Sequence, residues 1–125
     1  MAQRVLMIED EEQIRSMYQV AFEALGFVFD SAGDGEKGME MTKANKPDLI
    51  LLDIMMPNVD GLTVLTQIKN DPNLSTIPVI MLSNLSAQEN VDKAMTLGAK
   101  NYINKSLVKP REVAEKVKAI LSNPI

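Results

Sequence analysis

The sequence has no cysteine, no histidine and no tryptophan, and aromatic residues make up only 4% of it. Without cysteine the chain can form neither disulfides nor thiolate metal sites. Without histidine it lacks the commonest zinc ligand and general base, which excludes catalysis by a Ser-His or Cys-His pair. Carboxylates, hydroxyls and amines are left to carry any chemistry.

Basic stretches and long hydrophobic runs are also missing. Thirteen Lys and Arg stand against seventeen Asp and Glu, a net charge of −4, and this acidic balance argues against direct binding to nucleic acid. No apolar run approaches a membrane span, and the N-terminus lacks the pattern of a signal peptide. We therefore expect a cytoplasmic protein without a membrane partner, folded as one domain over residues 1–125.

Short apolar runs alternate along the chain with segments of helical periodicity. The runs that predict strands are Val5-Leu6-Met7-Ile8, Phe27-Val28-Phe29, Leu49-Ile50-Leu51-Leu52, Val79-Ile80-Met81-Leu82 and Tyr102-Ile103. The buried face predicted for the first helix carries Ile14, Met17, Tyr18, Ala21, Phe22 and Leu25. Gly26 suits the left-handed C-terminal cap of that helix. Ser86 and Glu89 form a capping box for the fourth helix, and Pro110 fits the first turn of the fifth.

Five strands that alternate with five helices predict an α/β fold with a parallel sheet and helices on both faces. The first, third and fourth strands are almost wholly apolar, as expected of central strands, whereas the second and fifth are shorter and more polar, as expected at edges. The doubly wound, flavodoxin-like strand order 2-1-3-4-5 meets both conditions. The first and third strands then flank the switch point, where ligands bind beyond the carboxyl ends of the strands.

Polar side chains suited to one reaction follow four of these strands. Glu9 and Asp10 end the first strand, Asp53 the third, Ser83 the fourth and Lys105 the fifth. Because parallel strands present their carboxyl ends at one edge, about 4.8 Å apart, three carboxylates crowd the switch point. Oxygen ligands of this kind suit Mg²⁺ or Mn²⁺, and a carboxylate can act as the nucleophile that forms an aspartyl phosphate. Each residue alone could be a helix cap or a solvated side chain. Their occurrence together at the ends of four strands is what indicates aspartyl-phosphate chemistry.

The same segments resemble the receiver domains of bacterial and archaeal response regulators over nearly the whole chain. The matching motifs are VLMIED at 5–10, DLILLDIMMP at 48–57, DG at 60–61, VIMLS at 79–83 and GAKNYINK at 98–105. The resemblance implies a single-domain phosphorylation switch of a two-component system, similar to the chemotaxis regulators. Such a domain catalyses only its own phosphotransfer and dephosphorylation, and is not an enzyme with a separate substrate.

The resemblance also implies roles for the residues around the third strand. Asp53 would accept a phosphoryl group from a sensor histidine kinase or a phosphotransfer protein. Asp10, Asp53 and the backbone carbonyl of Met55 would bind Mg²⁺ (or Mn²⁺) directly, and Glu9 would act through water.

Further roles are implied for the fourth and fifth strands. Ser83 would hydrogen-bond the phosphoryl group, Lys105 would pair with it, and Tyr102 would turn inward in the active state. The rearrangement would alter the surface of the fourth helix, fifth strand and fifth helix, where a downstream target protein is expected. From spacing alone, Tyr102 fits equally well as an edge-strand aromatic that packs against the last helix.

Three positions depart from the pattern of the family. Ser83 replaces the commoner threonine but keeps the hydroxyl, and Asn84 stands where a small residue is usual. Ser106 replaces the proline that follows the lysine in most receivers, often after a cis bond. These departures leave the phosphate lifetime and the geometry of the Lys105-Ser106 bond open.

Other functions fit the sequence less well. Residues 33–38 (GDGEKG) match the G-x-G-x-x-G pattern of dinucleotide sites, but they follow the second strand, and Asp34 and Glu36 would repel a pyrophosphate. The acids at 9–12 likewise disfavour a flavin phosphate loop. A haloacid-dehalogenase-like phosphatase would need an Asp where Met55 stands. A degenerate receiver that only binds other proteins need not have kept Asp10, Asp53 and their partners.

Overall fold

A computed structural model describes residues 2–84 and 87–122. The strands are β1 (Arg4–Ile8), β2 (Val28–Ala32), β3 (Leu49–Leu52), β4 (Val79–Ser83) and β5 (Asn101–Asn104). The helices are α1 (Glu12–Ala24), α2 (Gly35–Asn45), α3 (Gly61–Asn70), α4 (Gln88–Thr96) and α5 (Pro110–Ser122). All strand pairs are parallel and the order is β2-β1-β3-β4-β5, which confirms the predicted fold and strand order.

The sheet separates two apolar clusters, because alternate residues of each central strand point to opposite faces. One cluster joins Leu6 and Ile8 of β1 to residues of α3 and to Ala94 of α4. The other joins Val5 and Met7 of β1 to residues of α1 and α5. Both faces of β1, β3 and β4 are thus covered, which is why these strands contain almost no polar residue.

Two details of the predicted elements are wrong. β2 begins at Val28 and continues to Ala32, past the predicted Phe27-Val28-Phe29, because residues 28–32 pair in register with β1. Met17, predicted on the buried face of α1, is 52% exposed. Tyr18 and Phe22 on the same helix are buried as predicted, and Phe22 packs against Phe27 and Phe29 with ring centroids 5.4 and 5.3 Å away.

The structure tests the predicted helix ends and the geometry of the Lys105-Ser106 peptide bond. Gly26 has a φ of +90° and follows α1 as a left-handed cap, as predicted. Pro110 is the first residue of α5, and Ala87 precedes α4 as its N-cap. The predicted capping box depends on Ser86, which lies outside the described residues. The Lys105-Ser106 peptide bond is trans.

Two glycines of the GDGEKG segment, Gly35 and Gly38, serve close packing. A Cβ at Gly38 would lie 2.5 Å from the Cδ1 of Ile8, and one at Gly35 would lie 2.8 Å from a methyl group of Val64. Real Cβ atoms essentially never approach so closely, so these glycines let α2 rest directly on β1 and α3. None of the helices in the described residues combines the length and apolar character that a membrane span needs.

Candidate functional site

The carboxyl ends of β1 and β3 bring three carboxylates together. Ile8 and Leu52 are register partners, and the amide of Asp53 donates to the carbonyl of Ile8 at 3.1 Å, so the residues that follow both strands lie side by side. Carboxylate oxygens of Glu9, Asp10 and Asp53 all lie within 4.8 Å of one another. Glu9 and Asp53 are buried and Asp10 is exposed, so the cluster meets solvent at Asp10.

Lys105 lies between two of these carboxylates. Its Nζ donates to Oε1 of Glu9 at 2.5 Å and to Oδ2 of Asp53 at 3.3 Å. The amide of Lys105 donates to the carbonyl of Ser83 at 3.1 Å, which holds the end of β5 against β4. The ammonium therefore offsets the repulsion that two neighbouring buried carboxylates would otherwise create.

The burial and the ion pairs shift the pKa of both partners. Burial, reinforced by the charge of Asp53, raises the pKa of Glu9 to about 7, although the hydrogen bond from Lys105 works in the opposite direction. Burial by itself would lower the pKa of Lys105. The hydrogen bond to Glu9 and the charges of Asp53 and Glu9 outweigh it, so this pKa is raised and Lys105 remains an ammonium.

Ser83 and Tyr102 lie on neighbouring strands next to this cluster. Ser83 is completely buried at the end of β4, and its hydroxyl lies close enough to Tyr102 to influence the pKa of that phenol. Burial and the charge of Asp53 raise the pKa of Tyr102, while the interaction with Ser83 opposes the rise. The ring packs on the cluster that contains Ala94 of α4, whereas the inward residues of α5 belong to the cluster on the other face of the sheet.

The loop after Asp53 is shaped by Asp60 and Gly61. Asp60 caps α3 by accepting a hydrogen bond from the amide of Thr63 at 2.9 Å. The amide of Gly61 donates to the carbonyl of Ile54 at 2.8 Å, and a Cβ at Gly61 would overlap the carbonyl oxygen of Asp53. Only glycine therefore allows α3 to begin this close to the backbone of Asp53, which is a physical reason for the Asp60-Gly61 motif.

A cleft of about 280 Å³ opens over Asp53. Its lining residues are Asp10, Glu11, Asp53, Met55, Ser83, Asn84 and Lys105. The cleft thus contains carboxylate oxygens that suit a hard divalent cation. Beside them lie an ammonium and a hydroxyl group, which could hydrogen-bond an anionic oxygen. The structure places every predicted site residue in or beside this cleft, and Asn84, which departs from the family pattern, is exposed at its edge.

Arg15 also contacts this site, although the sequence did not predict it. This side chain donates to the carbonyl oxygens of Glu9 at 2.8 Å and Asp10 at 3.1 Å. An arginine on the first turns of an amphipathic helix is usually solvated, and nothing in its residue type or spacing signals a contact with the site.

Comparison with known proteins gives one consistent result. Residues 5–118 match the model of the response regulator receiver domain. Over 123 residues the chain is 37% identical to the alkaline phosphatase synthesis transcriptional regulatory protein PhoP of Bacillus subtilis, covering 97% of this chain and 49% of PhoP. The chain spans about half the length of the curated relatives that it matches.

Two solved structures are similar over almost the whole chain. The receiver domain of a signal transduction histidine kinase from Syntrophus aciditrophicus has a TM-score of 0.87 and 31% identity, covering 97% of this chain and 91% of that one. The phosphorylated cyanobacterial phytochrome response regulator RcpA has a TM-score of 0.85 and 26% identity, covering 100% and 97%. Together with the family model, these matches show that the chain belongs to the receiver domains of two-component response regulators, which are signalling domains rather than classical enzymes.

Proposed function

We propose that this chain is a phosphorylation switch in which Asp53 accepts a phosphoryl group with the help of Mg²⁺ (or Mn²⁺). The donor would be the phosphohistidine of a sensor histidine kinase or of a phosphotransfer protein. The observation that carries this proposal is the cleft over Asp53, in which a carboxylate cluster, an ammonium and a buried hydroxyl meet. Receiver domains as a family interact with histidine kinases and bind Mg²⁺ at an acidic cluster.

The carboxylate of Asp53 would attack the phosphorus atom as the P–N bond to the donor imidazole breaks. Asp10, Asp53 and the backbone carbonyl of Met55 would hold the cation, with Glu9 acting through water. When bound, the cation would offset the negative charge on the transferred group. Lys105, 3.3 Å from Asp53, would pair with an oxygen of that group, so its ammonium gains an anionic partner on phosphorylation.

The hydroxyl of Ser83 links phosphorylation to the surface of the domain. It lies beside Tyr102, whose pKa it lowers, and Tyr102 packs on the cluster that contains Ala94 of α4. If Ser83 turns toward a phosphoryl oxygen, the partner of Tyr102 changes and the ring can shift against α4. A downstream target protein would therefore detect the change at the surface formed by α4, β5 and α5.

We further propose that residues 1–125 form one receiver domain that acts through protein contacts, without touching nucleic acid itself. The net charge of −4 supports this view. RpaA of Synechocystis, a relative named as a DNA-binding transcriptional regulator, is about twice as long as this chain, so its DNA binding is compatible with a receiver that does not bind DNA. The domain would catalyse only its own phosphotransfer and slow hydrolysis.

Intact mass after incubation with acetyl phosphate, with and without Mg²⁺, tests the proposal. We expect one added phosphoryl group that requires Mg²⁺ and is lost in Asp53→Asn. Asp48→Asn is the matched control, because Asp48 is exposed beside the opposite end of β3 and should leave the modification intact. An unmodified native chain that binds the cation would favour an interaction module. Multiple turnovers on organic phosphates would favour a phosphatase.

A further inference from the structure

Arg15 holds the short segment that joins β1 to α1. β1 ends at Ile8 and α1 begins at Glu12, so residues 9–11 lie outside both elements. Nη1 of Arg15 donates to the carbonyl oxygen of Glu9 at 2.8 Å and to that of Asp10 at 3.1 Å. One guanidinium thereby binds the backbone of both Glu9 and Asp10, which supply two of the three clustered carboxylates.

Gly33 leaves the space that this guanidinium occupies. A Cβ at Gly33 would lie 3.3 Å from Nη1 and 3.7 Å from Cζ of Arg15. The backbone of Gly33 does not have the left-handed φ found at Gly26 and Gly98, so its conformation does not require glycine. A methyl group at Gly33 would therefore require the guanidinium of Arg15 to shift by a few tenths of an ångström.

We propose that Arg15 is a positioning residue for the cation site. By fixing the two carbonyls it would present the carboxylates of Glu9 and Asp10 in one arrangement before the cation binds. Side chains that orient metal ligands typically change metal affinity by about 10- to 100-fold when they are removed. The inference rests on the proposed function, since that function assigns the cation to these carboxylates.

Charge and positioning predict opposite effects of removing Arg15. The guanidinium is positive and lies close to the site, so by charge alone its removal would strengthen the binding of Mg²⁺. If Arg15 positions the acidic segment, its removal weakens binding, because the carboxylates must then be ordered when the cation binds. The sign of the change separates the two effects.

Isothermal titration with Mg²⁺ on the native chain, Arg15→Met and Arg15→Lys measures that sign. Methionine keeps an apolar stem but no donor, whereas lysine keeps the charge and can donate to a carbonyl. We expect Arg15→Met to bind about tenfold more weakly and Arg15→Lys to recover part of the loss. Urea unfolding in EDTA verifies that each variant is folded, so that a loss of fold is not taken for a loss of affinity.

Gly33→Ala tests the contact with Arg15 independently. We expect it to weaken Mg²⁺ binding in the native background and to have no further effect in Arg15→Met, where no guanidinium remains to be displaced. An equal effect in both backgrounds would overturn the coupling. If Arg15→Met binds Mg²⁺ as tightly as the native chain or more tightly, the positioning role of Arg15 is overturned but the proposed function is not. If the native chain binds no Mg²⁺, the proposed function is overturned as well.

Discussion

Replacement of Lys105 by methionine should destabilise the fold strongly in the absence of divalent cations. The side chains of Lys105, Glu9 and Asp53 are only 9%, 0% and 7% exposed, so water screens their ion pairs little. Removing one partner of a buried pair typically costs about 3–5 kcal/mol. We expect a loss near the lower end, about 3 kcal/mol of the free energy of unfolding at pH 8, because a carboxyl left unpaired can reduce the cost by taking up a proton.

The loss should depend on pH with a defined sign. The folded pKa of Glu9, about 7, lies above its ordinary value of 4.5, so the folded state holds this proton more tightly than the unfolded state. The contribution of this carboxyl to stability is therefore complete below about pH 4.5 and is lost as the pH rises through about 7. Without Lys105 the pKa of Glu9 rises further, so the difference between mutant and native chains should be smaller at pH 6 than at pH 8.

Urea unfolding in EDTA at both pH values measures the effect. Lys100→Met is the control, because Lys100 is exposed and its removal should cost at most about 0.5 kcal/mol. Added Mg²⁺ should reduce the deficit of Lys105→Met, since a cation bound among the carboxylates replaces the missing charge. A loss no larger than that of the control at pH 8, or a deficit that Mg²⁺ leaves unchanged, would refute the reasoning.

Two further predictions concern a buried tyrosine and the loop after the phosphoacceptor. Burial, aided by the charge of Glu9, raises the pKa of Tyr18 to about 12, so stability should be lost as the pH rises from about 10 toward 12. In urea unfolding, Tyr18→Phe should reduce the loss of stability at alkaline pH by about 2–3 kcal/mol. The same dependence of stability on pH in the native and mutant chains would show that Tyr18 is not responsible for the loss. Gly61→Ala should slow phosphorylation by acetyl phosphate, because its methyl group would displace the backbone of Asp53. Gly26→Ala, where nothing lies within 4 Å, should cost about 1 kcal/mol of stability and leave that rate unchanged, and equal rates for the two variants would exclude the steric argument.

The order of the strands could be predicted because burial on two faces leaves a direct mark on composition. Central strands of a parallel sheet must be apolar at consecutive positions, and edge strands need not be. The bounds of β2 could not be predicted in this way. Phe27 is apolar and buried but precedes the strand, because hydrogen-bond pairing with β1, rather than hydrophobicity, determines where β2 begins.

Helix packing limited the predictions for α1. Periodicity identified Tyr18 and Phe22 as buried, but it also placed Met17 on the same face. The periodic pattern gives a broad apolar stripe, whereas the contacts of α1 with β2 and α5 decide which part of that stripe is covered.

The sequence by itself determined which residue types meet at the site, because the carboxyl ends of parallel strands share one edge of the sheet. Only the tertiary structure decided which of them touch. Lys105 contacts both Asp53 and Glu9, and Glu9 is 96 positions away in the sequence. Arg15 donates a hydrogen bond to the backbone of the acidic segment. Such contacts depend on loop paths and side-chain rotamers over a few ångströms, and hydrophobic periodicity carries no information about either.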